Sequence, residues 1–433
     1  MNMMSNDNKK ILIVTYGMIP YCNNWGTCQR IYFLAEQFTE EGYQTWVVAS
    51  KQTSESVNFG KKISFKQIFI NSVFINSQDN FISKKSNSDK SYFLNTIKKR
   101  LLNFIYCIEK IIFNEPISKI GITGLIWSIK ANKTIKTLIK RENIETVIIS
   151  SPPFSFLFTS YFLRKQFNNL KIILDYRDPW NLWNGGSLIS NFLEKKIIKS
   201  ATYITVTNDN SKTDLSKLYS INRNKISVIY NGYSQKDWDT LPTVKKTIRT
   251  EVIISYIGSI SFNNDSYRNI TQFFKAYDLL ENKNLFKIKF IGVTFNSELD
   301  KYKKKYPEIE MIGKVSPHES YNYMLESDVL MNIHTTNDNS GYYLIGGKIY
   351  DYLKSEKTIF SINSENSFEQ TFLKTLGNVV CSKNNHLDIL KSFNLIYEKL
   401  RFSKNHKKYD INQYSREYQN NKFIRIVNNL IDA

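Results

Sequence analysis

Apolar residues along this chain fall into short unbroken runs separated by stretches with helical spacing. The runs at Lys10–Val14, Thr45–Ala49, Thr146–Ser150, Lys171–Asp175, Tyr203–Thr207 and Ile226–Ile229 predict strands covered on both faces, as in a parallel sheet. A second series at Val252–Ile257, Phe286–Ile291, Glu310–Ile312, Asp328–Ile333 and Lys357–Ile362 repeats the theme. Alternation of such strands with amphipathic helices predicts an α/β protein with two doubly wound, Rossmann-like domains. The polar stretch after Asn231-Gly232 places the expected boundary near residue 240. The expected division is 1–240, 241–408, and a terminal helix within 409–433 packing across the domains, with Phe423, Ile426, Val427 and Leu430 at helical spacing.

One segment departs from the alternation. Between Lys84 and Lys140 there are twelve Lys and Arg residues against Asp89, Glu109 and Glu115. Within it Leu94, Ile97, Leu101, Phe104, Ile105, Ile108, Ile111 and Ile112 recur at steps of three and four, beside Lys98, Lys99, Arg100 and Lys110. This basic amphipathic pattern fits a helix with a solvated face, and equally a foot on an anionic membrane surface, with Phe93, Phe113 and Trp127 as supporting aromatics.

The 433 residues exceed one ordinary core, and 42% apolar content lets both domains fold. A net charge of +20 points to an anionic partner, whether nucleic acid, a lipid surface or a phosphorylated substrate. No nucleic-acid-binding module is recognisable, so nucleic acid is not expected as a partner. Cys22, Cys28, Cys107 and Cys381 have neither metal-ligand spacing nor the density of a disulfide framework, which leads us to expect a reducing cytoplasm and no metal site. The apolar run after Lys9-Lys10 is short and β-branched, and reads as a first strand rather than a signal peptide; no run is long enough to span a bilayer.

The densest candidate chemistry is GYYLIGGKIYDYL, residues 341–353. Gly346, Gly347 and Lys348 at a helix start suit an anion, and Asp351, one turn on, suits the paired hydroxyls of a ribose. A plain glycine turn before an amphipathic helix explains the same residues. In the first half, Gly26 and Arg30 follow the first strand, Ser150 and Ser151 close the SSPP strand, and Asp175, Arg177 and Asp178 crowd the DYRDPW strand end. Arg30, Ser151, Arg177 and Asp178 are candidates for binding an acceptor hydroxyl, with Asp178 able to take its proton; a structural ion pair of Arg177 with Asp175 or Asp178 is the alternative.

Taken in order, the N-terminal glycine loop, SSPP, DYRDPW, VIYNGY, SYIGS, ESDVLMNI and GGKIYDYL resemble the family-4 glycosyltransferases of bacterial surface-polysaccharide assembly, such as that of capsule or O-antigen, over nearly the whole chain. The resemblance implies the GT-B fold, two Rossmann-like domains facing a central cleft, a nucleoside-diphosphate sugar on the C-terminal domain and an acceptor, lipid-linked or oligosaccharide, on the N-terminal one. It also implies hexosyl transfer with retention, and no metal or other cofactor. Carried over, Gly26, Gly258, Ser259, Arg268, Val315, Gly346, Gly347, Lys348 and Asp351 bind the sugar nucleotide, with Asp178, Arg268 and Lys348 catalytic. The chain departs from the family where Tyr343 replaces a glutamate eight residues before Asp351. The implied location is peripheral, at the cytoplasmic face of the plasma membrane. A catalytically silent GT-B subunit and a GT-B-like nucleotide-sugar epimerase are the competing readings.

Overall fold

The computed structural model describes residues 9–22, 25–71, 109, 111–114, 121–242, 250–264, 266–294, 297–335, 340–364, 367–376, 378–402 and 410–432. The chain divides into two units, 1–230 with 419–433, and 231–418.

Unit 1 is built on a parallel sheet of seven strands: β1 (Lys10–Thr15), β2 (Gln44–Lys51), β3 (Lys66–Asn71), β4 (Thr146–Ser151), β5 (Lys171–Tyr176), β6 (Tyr203–Val206) and β7 (Ile226–Val228). Their order is β3-β2-β1-β4-β5-β6-β7. Unit 2 carries β8 (Val252–Ile257), β9 (Phe286–Ile291), β10 (Glu310–Ile312), β11 (Val329–His334), β12 (Thr358–Asn363) and β13 (Val379–Lys383), in the order β10-β9-β8-β11-β12-β13. Every pairing within the two sheets is parallel, and the order reverses at β1/β4 and at β8/β11. Ligands of doubly wound sheets bind at the carboxyl ends of the strands at such a reversal.

The apolar runs become central strands because helices cover both faces. Leu12, Val14, Val147 and Ile149 face one core layer, and Ile11, Ile13 and Ile148 the other. All eleven predicted strands are present. The two additional ones, β3 and β13, lie at sheet edges, where KQIFIN and VVCSK are only partly covered and need no continuous apolar run.

Unit 2 begins ten residues before the expected boundary of 240. The Tyr233 N–H donates to Tyr414 O at 3.1 Å, and the Arg416 N–H to Tyr233 O at 2.7 Å, so Tyr233 bridges to Ser415. Gly232 makes this possible: its φ is +70°, and a Cβ there would sit 2.7 Å from Tyr414 O. The terminal helix, Arg416–Ile431, starts in unit 2, but Phe423, Ile424 and Val427 belong to a core of unit 1.

Most of the expected basic helix, residues 94–108, lies outside the described residues. Two of its supporting aromatics are core residues rather than membrane-facing ones. Phe113 and Trp127 are buried; Trp127 stacks on Phe156 at 4.1 Å and donates its indole N–H to Ile70 O. Cys22 and Cys28 are paired as a disulfide, which their spacing in the sequence does not suggest. Among the described residues no helix is long and apolar enough to cross a membrane.

Candidate functional site

In unit 2 the end of β8 meets the start of the Lys348–Lys354 helix. Gly258, just past β8, has φ +151°, and a Cβ built on it would lie 3.1 Å from Lys348 Nζ and 3.3 Å from Tyr256 Oη. That φ favours glycine, and the missing side chain leaves the lysine ammonium close to the backbone. Lys348 Nζ donates to Ile257 O at 2.6 Å. Beside it, Arg268 donates to Ser259 Oγ and lays its guanidinium over the Tyr267 ring, 4.8 Å from the centroid. Neither cation forms an ion pair among the described residues. Much of the Lys348 side chain is exposed, but its ammonium is packed among these groups. Burial, and next the Arg268 charge, pull its pKa down to about 8 against the opposing pull of Asp351.

Asp351 follows Lys348 by one turn. It accepts the Trp238 indole N–H at 3.1 Å, and burial raises its pKa to about 6 despite the Arg416 charge, the Trp238 bond and Lys348. Ser259 and Arg268 share one loop system, in which Ser261 N–H donates to Arg268 O at 3.0 Å. Val315 is half-buried in the loop after β10, directly before the capping box of Ser316 and Glu319.

The glycine pair does not form the anion cradle expected from its sequence. The Gly346 N–H is already taken by Glu369 Oε2 at 2.6 Å, so one of the main-chain donors is neutralised from within. Gly347 remains open: a Cβ added to it would meet no atom within 4 Å. Glu369 is buried, accepts from Asn332 and Asn363, and lies 3.7 Å from His334 Nδ1. Burial opposes its ionisation, yet His334 and these hydrogen bonds hold its pKa below the usual value. Capacity for an external anion therefore resides mainly in Lys348 and Arg268.

Unit 1 has an equally charged strand end with a different use. Asp175, fully buried, accepts from Arg30 at 2.8 and 3.1 Å, from Ser150 at 2.9 Å and from Thr205 at 2.8 Å. Burial would raise its pKa, but Arg30 and the two hydroxyls hold it below the usual carboxylate range. Arg30 also donates to Ile229 O and Tyr230 O. Arg177 donates to the carbonyls of Ser151, Pro152 and Thr27 at 3.1, 2.8 and 2.8 Å. Ser151 is fully buried. The expected acceptor residues Arg30, Ser151 and Arg177 thus tie strand ends together. Arg177 pairs with neither aspartate; Arg30 takes Asp175 instead. Asp178 is the exception: among the described residues no hydrogen bond or ion pair engages it, and burial raises its pKa against the pull of Arg177 and Arg30. Gly26 lies exposed in the first turn of its helix.

No protein-family model and no curated protein matches the chain. Solved structures match along nearly its whole length. The N-terminal domain of trehalose-6-phosphate phosphatase from Candida albicans aligns with a TM-score of 0.63 at 11% identity, covering 98% of this chain and 97% of its own. A glycosyltransferase from Rickettsia africae gives 0.61 at 14%, covering 98% and 99%. The UDP-GlcNAc 2-epimerase from Neisseria meningitidis bound to UDP-GlcNAc gives 0.53 at 12%, covering 97% and 99%. The fold is GT-B.

Within this GT-B chain, three site neighbours escaped the sequence reading. Glu369 left a signal: in its helix Phe372, Leu373 and Leu376 are buried three, four and seven residues on, so the carboxylate sits on the core stripe. His334, last in β11, looked like any residue ending an apolar run. Trp238 lay in the stretch read as a linker, and its bond to Asp351 depends on a contact 113 residues away in sequence. Tyr343, at the family's glutamate position, is buried.

Proposed function

We propose that the chain is a metal-independent glycosyltransferase that moves a sugar from a nucleoside-diphosphate sugar to a lipid-linked or oligosaccharide acceptor. The observation that carries this reading is the unneutralised Lys348 and Arg268 pair at the β8 strand end, with Asp351 one turn away. A ribose diol donates to Asp351, and the diphosphate takes the two cations and the backbone at Ser259 and Gly347, since the Gly258 N–H already donates to Ile291 O at 2.7 Å. As the bond from the sugar's anomeric carbon to the diphosphate breaks, negative charge grows on the leaving oxygen, where Lys348 and Arg268 stabilise it without a metal ion or other cofactor. The acceptor oxygen forms the new bond with retention, and its proton has Asp178 as the candidate recipient in unit 1. Placement at the cytoplasmic face of an anionic membrane, in surface-polysaccharide assembly, belongs to the same proposal.

A nucleotide-sugar epimerase is the second reading. It is favoured by the inward use of Arg30, Ser151 and Arg177, since an epimerase needs no acceptor site. Isotope-labelled nucleotide sugars incubated with the protein, with and without membrane lipid, separate the two. Acceptor-dependent release of the nucleoside diphosphate supports transfer; acceptor-free interconversion of sugar isomers replaces it with epimerisation. No saturable binding of any nucleoside diphosphate removes both.

A further inference from the structure

In unit 1 the helix Leu188–Ser200 presents an unusual outer face. Leu188, Ile189 and Phe192 are 91%, 49% and 59% exposed, and Lys195, Lys196 and Lys199 continue the same face. The positions 188, 189, 192, 195, 196 and 199 step by one, three or four residues and so form one stripe. The helix is well anchored beneath: Ile197 and Ile198 are buried, and its one acid, Glu194, is buried and held by Asn181 and Tyr219. The stripe therefore carries no carboxylate. Ser187, capping the helix, donates to Ile111 O, which brings a fourth exposed apolar side chain alongside. Lys196 lies 5.3 Å from the Phe192 ring, and its charge reaches Tyr161 on the neighbouring helix, where Lys165 also sits.

We propose that this stripe is the surface by which the protein docks on an anionic bilayer. Large exposed apolar side chains at one end and lysines at the other match the two layers of a membrane interface, acyl chains and anionic headgroups. The charge argues against a second copy of the chain as the occupant, since a two-fold contact through one stripe would bury both copies' lysines in one interface with no carboxylate from either stripe to neutralise them. The proposal deepens the lipid-linked acceptor reading by naming the surface, but its test reads vesicle binding and not turnover, so each can fail alone.

The full chain is floated with vesicles of phosphatidylglycerol and phosphatidylethanolamine, and with vesicles of phosphatidylcholine alone. Wild type is expected to prefer the anionic vesicles. The double variant Leu188→Ser with Phe192→Ser is expected to lower partitioning by about tenfold or more, and Lys196→Glu with Lys199→Glu to abolish the anionic preference, because each surface lysine contributes several-fold to such binding. All six positions of the stripe are solvent-facing, so unchanged thermal melting is expected and confirms that the variants fold. Equal flotation of wild type and both variants overturns the proposal. So does concentration-dependent dimerisation in sedimentation that the same substitutions abolish while vesicles bind nothing.

Discussion

The strand ends around Asp175 in unit 1 and around Gly258 in unit 2 are built from the same kinds of residue and do opposite things with them. Both follow central parallel strands and both gather arginine or lysine with aspartate. Around Asp175 the charges other than Asp178 are spent: Arg30 closes on the Asp175 carboxylate, and Arg177 on three main-chain carbonyls. Around Gly258 the cations face one carbonyl and one hydroxyl, and the nearest acid on the helix, Asp351, bonds to Trp238 instead. A buried charge that is fully paired holds a scaffold together. One left short of partners is a cost that a ligand can offset.

The comparison breaks most visibly under substitution. Arg30→Ala leaves the buried Asp175 unpaired and is expected to destabilise unit 1 by about 3–5 kcal/mol in denaturant titrations. Nucleotide binding under conditions where the variant is folded should stay near wild type. Lys348→Ala is expected to do the reverse: the loss of one charge-assisted contact weakens nucleoside-diphosphate binding by about ten- to a hundredfold in calorimetry, with the melting temperature nearly unchanged. If Lys348→Ala instead lowers the stability of the protein and leaves its affinity at the wild-type level, the two regions do not differ as described.

Two pH effects sharpen the contrast. Burial lifts Glu194 to about 7, above its unfolded value, so its contribution to stability is present in full below the unfolded pKa and is lost as pH rises through about 7. Glu194→Gln should flatten stability against pH between about 4.3 and neutrality, measured by denaturation at a series of pH values. The smaller effect is on binding. Asp351, raised to about 6, must be ionised to accept a diol, and Lys348, lowered to about 8, must be protonated to hold phosphate. Affinity for a nucleotide sugar should therefore peak between those values and fall on both sides; Asp351→Asn should remove the acid limb.

Periodicity alone was enough for the central strands, since a strand covered on both faces needs an unbroken apolar run. It also found the edge strands β7 and β10, but not β3 and β13, whose KQIFIN and VVCSK stretches mix polar residues into partly covered edges. Lys348 and Asp351 were legible as residue types that suit a phosphate and a diol, whereas Gly258 and Arg268 were reached only through the family resemblance. The sequence by itself determined the doubly wound α/β architecture and the basic and acidic side chains carried at its strand ends. Only tertiary structure decided which of those charges face one another. Arg30 reaches Asp175 across 145 residues of chain and Glu369 reaches Gly346 across 23. Whether a charge is paired depends on distances that no local pattern encodes.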